Sequence, residues 1–574
     1  MGKMTGAQAL VRVLAAESVQ HVFGVVGGKL APLLHALASE PSMRFIGLRH
    51  EASASMMAAA IQAGTGKMAV ALGEMGPGGL NLASGMGVAM GNNLPLLAIT
   101  TNQHRAAAYP HSGMFMDLDT RAVMAPLTKW NAVVHDPRRM PELVRRAFRE
   151  ALSGRPGPVH LDIPQDVLSS TCEFADDEFG IAPSRYRSIV GPRPNAGLID
   201  EAVKTLSEAR RPLIVAGGGV VASDAQALVR KLAAQLRAPV VPTQMALGVT
   251  PSDSPAFIGH GGLIAGEAIK QAFAQADVVL CVGCRFSSWM WDEAGPLVRR
   301  KHRVININLD PSALGYPVMH EVAMQADANF ALTDLLGKLK DNVSSEEQWL
   351  PSLRALRKAY ENRLASMNDE VDGLMHPAAL ASAIGQALPL NARAVFDGGH
   401  TTFWSNDLTP VYDVRTRLHE PGMSHLGFGL PYAMSLKLAH RDKPVFNITG
   451  DGSFGFTMNE LDSARRHRLS VITLIHNNAS WGIIRAGQKM QLGFELGTGL
   501  EGSDYASIAK GFGCFGETVN KPNQVAPAIA RALASGLPAV LDCHTRFVAH
   551  PAMPMFGSMN RYGFDALTQA GPST

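Results

Sequence analysis

Short runs of apolar residues alternate along the chain with longer segments in which apolar and polar residues recur at helical spacing. The run HVFGVV is followed by an amphipathic stretch, and the runs MAVALG and LPLLAIT repeat the arrangement. Apolar runs of this length are typical of strands buried on both faces, and strands that alternate with helices form parallel sheets. The pattern therefore predicts an α/β protein built from doubly wound parallel sheets.

Three blocks of this kind follow one another. The first covers residues 1–170 and ends with the strand-like GPVHLDIP, and the second covers residues 190–340 and contains RPLIVAGGGVV, ADVVLCVGC and HRVININLD. The charged segment 341–375 is predicted to be a helical linker, and the third block covers residues 376–574. The first and third blocks are alike in size and pattern, which suggests a duplication.

Composition narrows the class of protein. The chain has 574 residues, 46% of them hydrophobic and 18% charged, enough to bury several cores. A formal net charge of +3 without a Lys/Arg cluster argues against nucleic acid as a partner. The N-terminus lacks a signal-peptide pattern and the longest apolar run is broken by glycines, so we expect a cytoplasmic protein with no membrane partner. Five scattered cysteines argue against a disulfide framework, and we expect Cys281 and Cys284 to be small buried residues of a sheet.

The strongest chemical signal lies in the third block. Gly450-Asp451-Gly452-Ser453 follows the apolar run FNIT, and Asn477-Asn478 follows VITLIH. The carboxyl ends of parallel strands open onto a crevice where ligands bind, and glycines let the backbone approach a diphosphate. Mg²⁺ takes hard oxygen ligands, several of them from phosphate and water. We therefore expect Asp451, Asn478 and the backbone carbonyl near Ser480 to be metal ligands.

The two segments together resemble the cofactor-binding motif of a thiamine diphosphate (ThDP)-dependent enzyme superfamily, that of acetolactate synthase, pyruvate decarboxylase, benzoylformate decarboxylase and benzaldehyde lyase. The resemblance covers nearly the whole chain. It implies that the three blocks are a pyrimidine-binding, a central and a diphosphate-binding domain, and that the cofactors are ThDP and Mg²⁺. It further implies a homodimer or homotetramer whose active sites lie between subunits.

Two segments of the first block carry the other half of the resemblance. Arg49-His50-Glu51 follows the run FIGL, and Glu51 matches the family's glutamate, which lies against the aminopyrimidine ring and promotes loss of the C2 proton. Gly76-Pro-Gly-Gly-Leu-Asn81 resembles the family's loop near the cofactor. The resemblance thus assigns Glu51 as catalytic and Gly76 and Asn81 as cofactor-binding.

The third block supplies the remaining cofactor contacts that the resemblance implies. Leu426, before Gly427-Phe-Gly-Leu-Pro431, matches the apolar side chain that wedges between the two cofactor rings, and so it is both a catalytic and a binding candidate. The other cofactor-binding residues expected in this block are Gly399, His400, Thr401, Gly450, Asp451, Gly452, Ser453 and Asn478.

The implied reaction makes or breaks a carbon–carbon bond next to a carbonyl, by decarboxylation or carboligation of a 2-oxo acid. His111, within Tyr109-Pro-His-Ser112, lies near the position of the histidine pair of pyruvate decarboxylases and is the candidate for proton transfer. Lys29 either holds a substrate carboxylate or is solvated. Further histidine candidates are His104, His425 and His476.

Several alternatives stay open at this point. Phe115-Met116-Asp117 stands where acetolactate synthases carry Phe-Gln-Glu, which puts an acetolactate synthase-like carboligation of pyruvate in doubt. Apolar residues nearby, with those after the Asn pair, favour a bulkier or aromatic substrate. A 2-hydroxyacyl-CoA or acyloin lyase and a flavin-linked 2-oxo acid oxidase are the other candidates. Gly217-Gly218-Gly219 and Arg285-Phe286 resemble a region that binds FAD in some relatives, although a Gly-rich turn is common in any doubly wound sheet.

Overall fold

The protein is described from a computed structural model, which covers residues 2–108, 111–262, 266–292, 295–340 and 345–553. Tyr109 and Pro110 of the predicted histidine segment, residues 341–344 of the predicted linker and residues 554–574 of the predicted third domain lie outside the described residues.

The first block forms a six-stranded sheet of order β3-β2-β4-β5-β7-β6, whose strands pair in parallel, with a separate antiparallel pair, β1-β8. Its strands are β1 Gly2–Thr5, β2 His21–Gly24, β3 Arg44–Gly47, β4 Val70–Gly73, β5 Leu97–Asn102, β6 Trp130–Val133, β7 Val159–Pro164 and β8 Thr171–Phe174. Its helices are α1 Gly6–Ala16, α2 Ala31–Ala38, α3 Glu51–Thr65, α4 Pro77–Asn92, α5 Arg105–Ala108, α6 Thr120–Met124, α7 Met140–Leu152 and α8 Gln165–Ser169.

The second block forms a five-stranded parallel sheet of order β10-β9-β11-β14-β15, with a short antiparallel pair, β12-β13. Its strands are β9 Pro212–Ala216, β10 Val240–Pro242, β11 Val278–Val282, β12 Trp291–Asp292, β13 Gly295–Pro296, β14 Arg303–Asn308 and β15 Val322–Gln325. Its helices are α9 Ala196–Glu208, α10 Gly218–Ala222, α11 Gln226–Leu236, α12 Glu267–Gln275 and α13 Ala328–Lys338, and α14 Trp349–Ala365 follows.

The third block forms a six-stranded sheet of order β17-β16-β18-β19-β21-β20, again paired in parallel. Its helices are α15 Pro377–Ala387, α16 His400–Leu408, α17 Gly429–Ala439, α18 Asp451–Gly455, α19 Glu460–Arg466, α20 Gly482–Leu492, α21 Tyr505–Gly511 and α22 Pro522–Ser535. Its strands are β16 Arg393–Phe396, β17 Arg417–Leu418, β18 Val445–Gly450, β19 Val471–Asn477, β20 Phe515–Val519 and β21 Ala539–His544.

Burial on both faces explains why the strands are continuous apolar runs. In the central sheet Ile214 and Ile305 belong to the core on one face, whereas Leu213 and Val304 belong to the core on the other. Cys281 and Cys284 are buried in the second of these cores as free thiols, as predicted. The predicted fold class, three doubly wound parallel sheets, is confirmed. In the described part of the chain, no helix has both the length and the apolar character needed to cross a membrane.

The described chain divides into two compact units that do not follow the three blocks. One unit consists of Met1–Gly191, Glu420–Asp442 and Thr457–Val471, and the other of Pro192–His419, Lys443–Phe456 and Ile472–Thr574. We call them unit 1 and unit 2. Two helices of the third block, α17 and α19, thus belong to unit 1. The Ser435 hydroxyl on α17 donates to the Met57 carbonyl of α3 at 2.9 Å, and Gly64 of α3 leaves room for Leu436.

Within unit 1, Glu420 begins the segment that enters from the third block. Its side chain is fully buried and accepts hydrogen bonds from the Asn92 amide at 2.5 Å and from the main-chain amides of Met423 and His425 at 2.6 and 2.8 Å. Burial raises its pKa from 4.5 to about 7, although these donors favour the ionised form. The segment is therefore held in place by a carboxyl group whose ionisation is costly.

The backbone of this segment lies very close to the end of α4. The side-chain oxygen Oδ1 of Asn92 accepts a hydrogen bond from the Gly422 amide at 3.0 Å. A Cβ on Gly422 would lie 2.4 Å from backbone atoms of Gly91. Real Cβ atoms do not come so near, so only glycine fits at position 422. The contact fixes the loop that follows Glu420 to the end of α4.

The raised pKa of Glu420 predicts a pH dependence of folding. Because the Glu420 carboxyl group has a higher pKa in the folded than in the unfolded state, its protonation stabilises the fold. This contribution is fully present below pH 4.5 and is lost as the pH rises through about 7. Relative to the Glu420→Gln variant, wild-type protein should therefore lose about 3 kcal/mol of unfolding free energy between pH 4.5 and pH 8.

Denaturant unfolding of both proteins across this pH range measures the difference. The control is Glu173→Gln, an exposed glutamate on β8 of the same unit, for which the difference from wild type should stay flat. A wild-type-to-E420Q difference that does not change with pH would contradict the assignment.

Candidate active site

Glu51 is the first residue of α3 and its side chain is buried. The Asn81 side-chain amide on α4 donates to Glu51 Oε2 at 3.0 Å. A Cβ on Gly78 would lie 3.2 Å from Glu51 Oε1, so glycine at this position leaves space next to that oxygen. The structure thus brings together two of the residues predicted from the sequence, Glu51 and Asn81.

Close packing of α3 on α4 sets this geometry. A Cβ on Gly85 of α4 would lie 2.1 Å from Ser55 Oγ and 2.8 Å from the Ala52 carbonyl oxygen of α3. Only glycine permits helices to approach so closely. The two helices therefore hold the carboxylate and the amide at a fixed separation.

Gly76 caps the start of α4 and has a positive φ of 65°. A Cβ there would lie 2.7 Å from the Met116 carbonyl oxygen, so the loop that contains Met116 rests directly on the predicted cofactor loop. Both the backbone conformation and this contact require glycine.

His111 lies on that same loop, half-buried, and its Nδ1 contacts Asp117 Oδ1. The hydrogen bond from His111 holds the pKa of Asp117 below its usual value, and the Gly113 amide donates to the other carboxylate oxygen at 2.9 Å. Next to this pair, Met114 and Phe115 are 51% and 82% exposed. The loop thus presents an imidazole–carboxylate pair beside exposed apolar side chains.

The other sequence candidates in unit 1 have different surroundings. Lys29 Nζ donates to Gln165 Oε1 at 3.1 Å, and its main-chain amide donates to Glu74 at 3.1 Å, so its ammonium group is engaged within the unit. His104 is exposed, with its Nε2 3.8 Å from Asp166. Leu426 is half-buried, and its carbonyl oxygen is 2.7 Å from His425 Nδ1.

In unit 2, the carboxyl ends of neighbouring strands β16 and β18 form a cradle of small groups. Gly398 has a positive φ of 94°, and a Cβ there would lie 3.1 Å from Ser453 Oγ and 3.3 Å from the Gly450 amide. A Cβ on Gly450 would in turn lie 3.2 Å from Thr401 Oγ1. The predicted residues Thr401, Gly450 and Ser453 therefore converge.

Helix α16 begins at His400, after Gly399, which has no side chain to cap it. The first amides of an uncapped helix lack partners and attract anions such as phosphate. Both ring nitrogens of His400 are buried without a hydrogen-bond partner among the described residues, and burial lowers its pKa to about 3. An uncapped helix start beside orphaned polar atoms fits a diphosphate group.

Asp451, Asn478 and Ser480 meet at the ends of β18 and β19. The Ser480 amide donates to Asp451 Oδ2 at 3.2 Å and to Asn478 Oδ1 at 3.1 Å, so these two oxygens lie side by side. Burial raises the pKa of Asp451 to about 6 against the opposing effect of its amide donors. A buried anion next to an amide oxygen fits a divalent cation, which would offset the cost of burying the charge.

No group of three or more His, Cys, Asp or Glu side chains suited to a metal occurs among the described residues. One carboxylate and one amide oxygen suffice when the remaining ligands come from a diphosphate and water. The donor set therefore fits a cation that binds together with a phosphorylated cofactor.

Trp481 explains Gly452 of the motif. A Cβ on Gly452 would lie 2.5 Å from the indole ring, so glycine here makes room for Trp481. The Tyr505 hydroxyl donates to the Asp451 carbonyl oxygen at 3.2 Å, a support that no motif in the sequence indicates. His476, by contrast, is buried in β19, and burial lowers its pKa to about 3, which favours the neutral imidazole.

The Gly-rich turn of the second block is explained by packing within unit 2. A Cβ on Gly217 would lie 2.2 Å from the Gly283 carbonyl oxygen, and the Gly219 amide donates to that oxygen at 3.1 Å. Gly217 and Gly219 thus allow two backbone segments to touch.

Comparison with known proteins agrees with the arrangement of the three blocks. Residues 4–123 match the family described as thiamine pyrophosphate enzyme, N-terminal TPP binding domain. Residues 199–335 match its central domain, and residues 397–543 match its C-terminal TPP binding domain.

Among curated proteins, the chain is 29% identical over 553 residues to the probable acetolactate synthase large subunit of Methanocaldococcus jannaschii, covering 94% of this chain and 91% of that protein. It is 29% identical to the acetolactate synthase large subunit of Corynebacterium glutamicum, with 92% and 85% covered. It is also 29% identical to the acetolactate synthase isozyme 1 large subunit of Escherichia coli, with 92% and 91% covered.

The three domain matches, in the order that the sheets follow along the chain, agree with the sequence-based prediction. The chain belongs to the thiamine pyrophosphate enzymes and is a ThDP-dependent enzyme.

Proposed function

We propose that this enzyme uses ThDP and Mg²⁺ to decarboxylate a 2-oxo acid and to join the acyl group that remains to a second carbonyl compound. The convergence of Asp451 and Asn478 oxygens on the Ser480 amide, beside the glycine cradle, is the observation that carries the proposal. The large-subunit acetolactate synthases among its relatives support carboligation as the reaction type.

When bound, ThDP supplies a nucleophilic carbon and an electron sink for cleavage next to a carbonyl. Glu51 would hold the aminopyrimidine ring through a hydrogen bond from its carboxyl group, and Asn81 would orient that group through its amide. The burial of Glu51 excludes water, which strengthens this hydrogen bond.

The diphosphate and the cation would be held by unit 2. Gly399, His400 and Thr401 would present the uncapped amides of α16, and Gly450, Gly452 and Ser453 would allow the chain to pass close to the phosphate oxygens. Asp451, Asn478 and the Ser480 carbonyl would supply the protein ligands of Mg²⁺.

The proposed substrate contacts come from the loop that contains His111. His111, oriented by Asp117, would transfer a proton to or from the reacting oxygen or carbon. Exposed Met114 and Phe115 would line a pocket for an apolar side chain, and Leu426 would contact the cofactor rings. Phe115-Met116-Asp117 favours an acceptor different from that of acetolactate synthases.

An acetolactate synthase-like reaction with pyruvate is the second candidate, because relatives with that name cover nearly the whole chain. The proposed assembly is a homodimer or homotetramer. Exposed apolar side chains in both units support it, since surfaces of this kind mark protein or ligand contacts: Met114, Phe115, Ile484, Met490, Phe494 and Leu496.

Purified protein supplied with ThDP and Mg²⁺ should release CO₂ from at least one member of a panel of 2-oxo acids that runs from pyruvate to benzoylformate. Product analysis with added aldehyde or 2-oxo acid identifies the acceptor. Acetolactate from pyruvate alone would select the second candidate. Silence across the panel, with ThDP demonstrably bound, would contradict the proposal in favour of an acyloin or acyl-CoA lyase, and a flavin spectrum would favour the oxidase.

Glu51→Gln should lower kcat by roughly 100- to 10,000-fold, the usual worth of one proton-transfer group, because the amide does not replace the carboxyl group. The Kd for ThDP, measured by tryptophan fluorescence, should change little, since the predicted phosphate and metal contacts are intact. Glu142→Gln on α7, an exposed glutamate paired with Arg139, serves as the control and should behave as wild type. Unchanged turnover in E51Q would remove Glu51 from the site.

Asp451→Asn should weaken Mg²⁺-dependent ThDP binding, because the buried anion that favours a cation is lost. We expect the Mg²⁺ concentration for half-maximal binding to rise at least about tenfold, or roughly 1.4 kcal/mol. Calorimetric titration with ThDP at several Mg²⁺ concentrations measures this shift. Asp413→Asn, an exposed aspartate of the same unit, is the control, and equal behaviour of the two variants would contradict the metal assignment.

A further inference from the structure

The loop from Gly47 to His50, which leads into α3 and Glu51, is held by a helix from a distant part of the sequence. That helix is α19, and it belongs with the loop to unit 1. Its first residue, Glu460, is separated from His50 by 410 positions. The backbone immediately before Glu51 is therefore fixed by residues of the third block.

Glu460 makes the central contact. Its side chain is fully buried, and its carboxylate accepts from the Arg49 amide at 3.2 Å and from the His50 amide at 3.2 Å. Two consecutive main-chain donors thus point at one carboxylate. This arrangement satisfies amides that precede the first turn of α3 and places a negative charge near the positive end of the helix dipole.

The other end of the loop is held as well. The Gly47 carbonyl oxygen accepts from Arg466 Nη2 at 3.0 Å and from His467 Nε2 at 3.0 Å. Asp462, on the same helix, makes a longer ion pair of 3.8 Å with the Arg49 side chain and accepts from Arg466 Nε at 2.8 Å. Main-chain groups of the loop are therefore bound by Glu460, Arg466 and His467.

We infer that Glu460 is a positioning residue for Glu51, which sets the place of the Glu51 carboxyl group through the two amides before it. The assignment rests on the proposed role of Glu51. Glu460 acts through the backbone, so it needs no contact with cofactor or substrate.

A carboxylate is suited to this task because both of its oxygens accept. In Glu460→Gln one oxygen is replaced by an amide group that donates, and this group would face an N–H that also donates. The loop then shifts or loosens to relieve the clash of two donors. A shift of about 1 Å in a catalytic group lowers turnover by roughly 100-fold.

The test compares kcat, the Kd for ThDP and the thermal midpoint in Glu460→Gln, in Glu51→Gln and in the double variant. We expect E460Q to lower kcat by roughly ten- to a hundredfold while the Kd for ThDP stays within twofold of wild type. In the E51Q background the same change should have no further effect on kcat, because a residue that acts only through Glu51 has nothing left to position.

Glu142→Gln is the control, an exposed glutamate of the same unit that pairs with Arg139 and contacts neither the loop nor α19. It should leave kcat unchanged. Glu460→Asp is the second variant, in case E460Q does not fold. Aspartate keeps the charge but has a shorter side chain, and the expected loss of kcat is in the same direction.

Amide hydrogen exchange without cofactor supplies a readout that does not depend on activity. In wild-type protein the amides of Arg49 and His50 should be protected, and in E460Q or E460D they should exchange at least tenfold faster while the rest of α3 keeps its protection. Unprotected wild-type amides would overturn the inference even if neither variant folds.

The remaining outcomes separate this inference from the proposed function. If E51Q lowers kcat and E460Q does not, the positioning role of Glu460 is wrong and the role of Glu51 stands. Equal losses from E460Q in the wild-type and E51Q backgrounds would show a general structural role, which also overturns the inference. Normal turnover of E51Q would overturn both assignments.

Discussion

Buried carboxylates that accept hydrogen bonds from main-chain amides hold the loops around the candidate site. Glu420 binds the amides of Met423 and His425, Glu460 those of Arg49 and His50, and Asp451 that of Ser480. A loop at the end of a parallel strand has amides that no neighbouring strand satisfies, and a carboxylate satisfies two or more of them at once. The cost is an anion removed from water, which appears as the raised pKa of Glu420, Glu460 and Asp451.

Asp451 also accepts hydrogen bonds from main-chain amides, but its surroundings differ from those of Glu420 and Glu460. Glu420 and Glu460 each receive several hydrogen bonds from neutral donors in unit 1. Asp451 lies beside another oxygen, that of Asn478, and two oxygens side by side favour a cation between them. The same physical penalty therefore stabilises a loop in one case and favours ligand binding in the other.

The sequence predicts the three sheets and the local motifs because both depend on residues close together in the chain. Continuous apolar runs mark strands buried on two faces, and the Gly450–Ser453 segment lies at the end of such a run. The contacts of Glu420 with Asn92 and of Glu460 with Arg49 could not be predicted, since these partners lie 328 and 411 positions away and no periodic pattern links them. The lowered pKa of His476 and the pairing of His111 with Asp117 likewise depend on burial and loop geometry, which a single sequence does not contain.

The division of the chain also affects its synthesis. Unit 1 is formed by the residues up to Gly191 and by two short later segments, the second of which ends at Val471. At about 5–20 residues per second, a ribosome needs roughly 14 to 56 s to translate the chain from Pro192 to Val471. During that time α3 has no α17 to pack against and the Arg49 and His50 amides have no Glu460. Until then the nascent chain exposes the face of α3 that α17 later covers. Chaperones bind exposed surfaces of this kind, which otherwise lead to aggregation.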